Sequence, residues 1–142
     1  MVPVNYLAVF VATLLSIVLG SIWYGPLFGK DWTKLMGWSK ADMAKGMADK
    51  SGMMRSYGLQ FVGSLIMCFV LAHSLVFAKA YLGETGVSAG IQTGFWNWIG
   101  FIAPVTLTSV LWEGKPWKLW FIINGYNLVF LMCAGVLLSV WA

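Results

Sequence analysis

The chain has 142 residues, of which 60% are hydrophobic, 16% are aromatic and only 10% are charged, and its mean hydropathy is +0.80. Ordinary globular chains are about 25% charged, so this composition excludes most soluble enzymes. The net charge of +4 is spread over loops, which excludes a typical nucleic-acid binder. The charges leave neutral tracts at residues 1–29, 56–78, 85–112 and 119–142. A helix needs roughly 20 apolar residues to cross a bilayer, so each tract supplies one span.

We therefore predict an all-α integral membrane four-helix bundle, a single transmembrane domain covering residues 1–142. The spans are predicted at about residues 4–24, 54–81, 91–112 and 117–141. Eight of the nine basic residues lie in the first and third loops, and only Lys79 lies in the second. By the positive-inside rule the first and third loops are cytoplasmic, so both termini are expected outside the cytoplasm.

Span one carries Ala12, Ser16 and Gly20 at four-residue spacing, which places three small side chains on one stripe of the helix. Such stripes allow two helices to approach closely. The second helix belongs either to the same chain or to another subunit. No Lys or Arg precedes Lys30, unlike in a cleavable signal peptide, so span one is expected to be retained.

A short amphipathic cytoplasmic helix is predicted between spans one and two, near residues 41–49. Ser39 with Asp42 three residues later resembles a capping box, which marks the start of a helix. Methionines alternate with lysines along this segment, for example Met43, Lys45 and Met47. A helix of this kind either lies in the headgroup region of the membrane or offers an adaptable surface to a partner protein.

Four polar side chains are predicted inside the spans: His73, Asn97, Asn124 and Asn127. His73 is the ionisable side chain expected at membrane depth, so it is a candidate proton relay or ligand donor. The alternative is a neutral imidazole that is hydrogen-bonded to a neighbouring helix, for instance to Asn97. The asparagines either line a polar cavity for a neutral solute or bind the helices together.

Pro104 lies in the middle of span three and removes a backbone donor from the helix. Because lipid offers no replacement hydrogen bond, the resulting bend is expected to face protein or water. Asn97, Phe101 and Thr108 share its stripe. Gly90 and Gly94 indicate close helix packing near the outer end of the span.

Glu113, Lys115 and Lys118 precede span four at the cytoplasmic rim. This cluster either binds an anionic headgroup or solute, or is a solvated turn with weak ion pairs. The sequence contains one His and two Cys, and its spans contain no carboxylate, so we predict no catalytic site, metal site or cofactor and no enzymatic activity. Cys68 and Cys133 are expected to be buried free thiols.

Two motifs flank the cytoplasmic ends of the spans. The first is Trp23-Tyr24-x-Pro26-x-Phe28-Gly29-Lys30, and the second is Glu113-Gly114-Lys115-Pro116-Trp117-Lys118-Leu119-Trp120 followed by Asn124-Gly125-Tyr126. Together they resemble the small bacterial membrane proteins grouped as domain of unknown function 1761, over essentially the whole chain. The resemblance implies a bacterial inner-membrane protein with four helices and implies no activity.

Two functions are compatible with four apolar spans that carry so few polar residues. The first is a non-enzymatic accessory bundle that binds a lipid, an apolar ligand or another membrane protein, with membrane lipids and further copies of the chain as expected partners and no nucleic acid. The second is a channel or transporter for a small neutral or apolar solute, whose pathway lies between copies because four helices enclose little space. A water-filled passage lined by asparagines favours transport, and a closely packed centre excludes it.

Overall fold

A computed structural model describes residues 2–141, which are almost entirely helical and contain no strand. Its four long helices run over Tyr6–Leu27, Lys50–Leu82, Gly86–Leu111 and Trp117–Val140, and each is long and apolar enough to cross a membrane. Each of these helices contains most of one predicted span. The prediction of an all-α chain with four such helices is confirmed.

The first long helix has a sharply defined start and an irregular end. Its regular part, α1 (Tyr6–Ile22), is capped by Asn5, whose side-chain oxygen accepts a hydrogen bond from the Ala8 N–H at 3.1 Å. At the other end, Trp23–Leu27 form a π-helical turn that contains Pro26. The Phe28 N–H donates to the Trp23 carbonyl oxygen at 2.9 Å, the wide spacing of a π-helix.

Two short helices follow. The first, α2 (Gly29–Leu35), was not predicted. The second, α3 (Lys40–Ala48), confirms the predicted short helix. Its capping box is complete: the Asp42 carboxylate accepts a hydrogen bond from the Ser39 N–H at 2.8 Å, and the Ser39 hydroxyl accepts one from the Asp42 N–H at 3.1 Å. The Ser39 hydrogen bonds hold the pKa of Asp42 below its ordinary value. The side chains of α3 are all exposed.

The second long helix, α4 (Lys50–Leu82), contains 33 residues and ends at Gly83, which adopts a left-handed conformation. At 1.5 Å per residue it measures roughly 50 Å, well over the roughly 30 Å hydrocarbon thickness of a bilayer. Its buried residues begin only at Ser64, and the preceding residues are exposed or half-buried. The second half of α4 therefore packs in the bundle, while its first half diverges from the other helices.

The third long helix is interrupted. It consists of α5 (Gly86–Asn97), a π-helical turn at Trp98–Ile102, α6 (Ala103–Thr106) and α7 (Thr108–Leu111). The irregularity predicted at Pro104 is present, but it begins earlier, in the π-helical turn.

Within a single chain, the stripe of Pro104 faces away from the other helices. Pro104 and Thr108 are exposed, and Phe101 is 75% exposed. The inward face of this segment is instead occupied by Trp98, whose indole N–H donates to the Asn124 backbone carbonyl at 3.0 Å. The π-helical turn thus directs a tryptophan inward and leaves the proline outside.

The fourth long helix, α8 (Trp117–Val140), is the most buried of the four and contacts α1, α4 and α5. Its contact with α5 is the closest in the bundle: Gly90 lies against the backbone of Gly135, and Gly94 lies against the backbone of Leu131. A side chain at either glycine of α5 would overlap the backbone of α8. The two glycines therefore serve the close packing that their spacing indicated.

The core lies between α1, α4 and α8, with Ala89 added from α5. Its members include Ala8, Val9, Ala12, Cys68, Leu71, Phe130, Leu131 and Ala134. The small-residue stripe of α1 packs here inside the same chain, since Ala12 and Ser16 are buried and the Tyr126 hydroxyl donates to the Ser16 carbonyl at 2.8 Å. Both cysteines are free thiols, but Cys133 is exposed, so the prediction that both are buried is wrong for Cys133. Its side of α8 faces away from the packed helices.

The substitution Gly90→Ala is expected to lower the free energy of unfolding by about 1 to 3 kcal/mol, because the added methyl group pushes α5 away from α8. Gly63→Ala is the matched control, since a side chain at Gly63 meets nothing within 4 Å. Unfolding of the purified protein in detergent, followed by circular dichroism, measures the difference. Equal stability of the two variants would contradict the close contact.

Candidate functional site

The polar residues predicted inside the helices do not converge on one site. The Nδ1 atom of His73 lies 2.8 Å from the Phe69 carbonyl oxygen of its own helix. The Asn97 amide likewise donates to the Thr93 carbonyl oxygen at 2.8 Å, also within its own helix. The suggested hydrogen bond between His73 and Asn97 is not formed, and each side chain bonds instead to the preceding turn of its own helix. Within residues 2–141, no three His, Cys, Asp or Glu side chains are close enough to bind a metal ion.

Asn124 binds α8 to the third long helix. Its side chain is 1% exposed; the carboxamide oxygen accepts from the Thr106 hydroxyl at 2.8 Å, and the amide donates to the Trp120 carbonyl at 3.1 Å. The Thr106 hydroxyl also accepts from the Trp120 indole N–H at 3.1 Å. Of the two roles considered for the asparagines, this one holds helices together.

A cavity of about 700 Å³ opens between α1, α2, the first half of α4 and α8, and we call it the aromatic cavity. Its volume falls within the range of roughly 300 to 1,000 Å³ that is typical of small-molecule sites. Four aromatic rings and two amides line it: Tyr24, Trp32, Tyr57, Tyr126, Gln60 and Asn127. The remaining lining residues are Ser, Gly and Ile, so none of the lining residues within 2–141 is charged.

The cavity exists because α4 diverges from the bundle. Tyr57 and Gln60 lie in the part of α4 that precedes its first buried residue, Ser64. On the opposite wall, α1 and α8 stay together through the Tyr126 hydroxyl, which donates to the Ser16 carbonyl. The space between the diverging helix and this fixed pair is the cavity.

The aromatic wall is built where the two sequence motifs meet. The Trp23 indole N–H donates to the Ile122 carbonyl oxygen at 2.9 Å, which holds the end of the first long helix against the start of α8. Gly125 leaves room for this ring, because a Cβ atom there would lie 3.1 Å from Trp23. The neighbouring Tyr24 ring then lies 5.4 Å from Tyr126. The motif that ends the first long helix and the motif that opens α8 thus form one structure.

Trp32 closes the same wall from α2. Its ring centroid lies 4.7 Å from that of Tyr24 and 5.0 Å from that of Trp38. These contacts place α2 against the bundle rather than free at its surface. The short helix that the sequence did not predict therefore contributes directly to the cavity.

The polar groups of the cavity are partly available to a ligand. The Asn127 amide donates to the Ile123 carbonyl at 3.1 Å, and the Gln60 amide donates to the Ser64 hydroxyl at 3.4 Å. The side-chain carbonyl oxygens of Asn127 and Gln60 accept no hydrogen bond within residues 2–141. They can accept hydrogen bonds from a ligand that carries a hydroxyl or amide group.

The predicted rim cluster does not form a single site. Lys118 pairs with Asp31 of α2, with Nζ and Oδ1 3.3 Å apart and both side chains about half exposed. Glu113 and Lys115 are exposed around Gly114, whose φ of 69° makes the turn. An exposed pair of this kind contributes at most about 1 kcal/mol, so it positions α2 only weakly.

Sequence reasoning found Asn127 and missed the aromatic wall. In the sequence, Tyr24 and Tyr126 belong to two separate motifs, and Trp32 belongs to neither. The available signal was a glycine directly beside an aromatic residue in both motifs, in Tyr24-Gly25 and in Gly125-Tyr126. Only contacts across the fold show that these two pairs face each other.

Residues 7–139 match the family described as "Protein of unknown function (DUF1761)". The chain belongs to the DUF1761 family. The resemblance inferred from the two motifs is thereby confirmed, and the matched range contains every residue that lines the aromatic cavity of this DUF1761 protein. Neither a curated protein nor a solved structure shows significant similarity to it.

The substitution Asn124→Leu is expected to lower the free energy of unfolding by roughly 1 to 3 kcal/mol, because it removes two hydrogen bonds, one of which joins α8 to Thr106 of the third long helix. Asn97→Leu is the control and is expected to cost less, since Asn97 bonds only within its own helix. Detergent unfolding curves of both variants measure the difference. A larger loss for Asn97→Leu would show that Asn124 does not hold the two helices together.

Proposed function

We propose that this DUF1761 protein is a non-enzymatic membrane protein that binds a lipid-like, amphipathic ligand in the aromatic cavity. The observation that carries the proposal is a cavity of about 700 Å³ whose wall is aromatic and uncharged. Ligand sites are typically concave and mainly apolar, with a few polar groups that orient the ligand. Since burial of an unpaired charge is costly, an uncharged wall suits an apolar chain or ring.

A passage through one chain is a weaker proposal. Beyond Ser16 the interior is closed by the core, where Thr13, Cys68 and Phe130 are each no more than 1% exposed. Asn97 and Asn124 do not line the aromatic cavity. A channel or transporter would therefore need a pathway between copies of the chain.

Further copies of the chain are proposed as partners. The third long helix is the least buried and the least apolar of the four. If lipid covered its exposed side, the least buried helix would be expected to be strongly apolar. Its π-helical turn and Pro104 interrupt regular backbone, and such backbone at membrane depth is normally covered by protein or water. A second copy against this surface would cover both features.

The proposed location is the bacterial inner membrane, with both termini outside the cytoplasm. Four long apolar helices support insertion in a membrane. The orientation rests on the eight of nine basic residues that lie in the first and third loops. The same orientation places the aromatic cavity in the cytoplasmic half of the bilayer.

Cysteine labelling in intact cells tests this orientation. In a Cys68→Ala, Cys133→Ala background, Lys45→Cys is expected to react only with a membrane-permeant maleimide, because its loop is cytoplasmic. Glu84→Cys is expected to react with the impermeant reagent as well. The opposite pattern would reverse the proposed orientation.

Filling the aromatic cavity tests the proposed binding. A Cβ atom at Gly20 makes only ordinary contacts with the Tyr126 ring, the nearest at 3.5 Å, so the backbone of α1 accepts a side chain there. The larger Gly20→Leu is expected to reduce lipid that co-purifies with the protein by about tenfold or more, which corresponds to about 1.4 kcal/mol or more. Native mass spectrometry of the protein released from mild detergent measures the bound lipid.

Gly63→Leu is the matched control for this experiment. It adds the same side chain to a helical glycine that does not line the cavity and has nothing within 4 Å. Thermal unfolding shows whether both variants fold like the native protein. Equal lipid retention by two folded variants would contradict binding in the aromatic cavity.

A further inference from the structure

We infer that the amphipathic ligand carries a quaternary ammonium group and that this group lies among the aromatic rings of the cavity. This inference rests on the proposed function and adds the class of ligand. Four of the twelve residues that line the cavity are aromatic, and none of the lining residues within 2–141 is charged.

The lining rings are close enough to act together on one bound group. The ring centroid of Tyr24 lies 4.7 Å from that of Trp32 and 5.4 Å from that of Tyr126, with the ring planes tilted by 55° and 54°. Tyr57 lines the cavity from α4. An aromatic ring attracts a cation that lies within about 6 Å of its centroid, and sets of such rings characteristically bind quaternary ammonium groups. Because the planes are tilted rather than parallel, more than one ring can present its face to the same group.

The hydrogen-bond donors of the cavity lining are turned back onto the protein. The Tyr126 hydroxyl donates to the Ser16 carbonyl oxygen, and the Ser21 hydroxyl donates at 2.8 Å to a carbonyl oxygen of its own helix. The Asn127 and Gln60 amides also donate within the chain, which leaves their carbonyl oxygens free. These oxygens carry partial negative charge, as the faces of the rings do, so both favour a positively charged group over an anion.

The absence of charge from the lining distinguishes between kinds of cation. A primary ammonium is compact and strongly hydrated, and it carries three donors. Moving it from water to a wall without a carboxylate is costly. A quaternary ammonium has no N–H donor to satisfy, and its charge is spread over the methyl groups. An aromatic and uncharged wall therefore favours the quaternary ammonium.

The cavity also has room for the apolar part of such a ligand. Its lining on α1 continues from Tyr24 to Ile17, seven residues deeper, which is roughly 10 Å of helix. Trp32 contacts the Tyr24 end of this lining. We therefore assign the ammonium group to the Tyr24 end and an acyl chain to the Ile17 end. A free cation such as choline would leave the Ile17 end empty.

The test compares two lipids that differ only in the methyl groups on the nitrogen. Phosphatidylcholine and phosphatidylethanolamine with the same acyl chains are added in equal amounts to the full chain, and native mass spectrometry gives the ratio of bound lipids. The native protein is expected to favour phosphatidylcholine. Tyr57→Leu is expected to lower this ratio about two- to fivefold, the contribution of one ring to cation binding.

Two further variants control for folding and for the ring itself. Tyr57→Phe keeps the ring and is expected to keep the preference, which a merely apolar contact would not require. Tyr81→Leu makes the same change at an exposed tyrosine near the other end of α4 that does not line the cavity, and it is expected to bind like the native protein. Since Tyr57 is itself exposed, its replacement leaves the core intact.

Competition against bound phosphatidylcholine separates charge from shape. Choline is expected to displace the lipid at a lower concentration than dimethylbutanol, an uncharged isostere in which carbon replaces the nitrogen. Equal displacement by the two compounds would overturn the role of the charge. Displacement by choline at a concentration equal to that of the lipid would overturn the amphipathic ligand in favour of a free cation.

The remaining outcomes separate the ligand class from the proposed function. Equal binding of both lipids by the native protein, together with loss of both in Gly20→Leu, would overturn the quaternary ammonium and retain the cavity. An unchanged lipid ratio in a folded Tyr57→Leu variant would also overturn it. Lipid binding that Gly20→Leu leaves unchanged would overturn the proposed function itself.

Discussion

The close contact between α5 and α8 is the constraint on which the rest of the structure depends. Apolar side chains gain little from association in lipid, so helices in a membrane are held by close packing and hydrogen bonds. Gly90, Gly94 and Gly135 bring the two backbones together without intervening side chains. With α8 fixed in this way, α1 and the second half of α4 can close the core around it.

The two ends of the bundle therefore differ in character. Near Gly90 the helices are packed with small residues, and the remaining cavity there has only about 70 Å³, room for a few water molecules. Near Tyr24 the helices are separated by aromatic rings, and α4 has left the bundle. Large rings hold two helices apart where small residues would let them touch. The same chain thus has one closed end and one end with a cavity of about 700 Å³.

The sequence predicted those features that depend on local chemistry. Four neutral tracts fix four helices, because the number of residues needed to cross a bilayer is set by helix rise. Ser39 and Asp42 predicted the start of α3, since a capping box involves only residues in the same turn. The sequence identified the polar residues of the spans but not their hydrogen-bond partners. His73 and Asn97 bond within their own helices, whereas Asn124 bonds to Thr106 of another helix. Helical periodicity places a residue on a face and does not specify which helix lies against that face.

By itself, the sequence determined the fold class, the number of long helices and the membership of the DUF1761 family. The tertiary structure alone decided where the aromatic cavity lies. Tyr24 and Tyr126 are more than a hundred residues apart in the chain, yet their rings lie 5.4 Å apart. The hydrogen bond of Trp23 to α8 and the room left by Gly125 bring them together. Helices form from interactions within a few residues, whereas a cavity forms only from the relative positions of several helices, and those positions depend on contacts between distant parts of the chain.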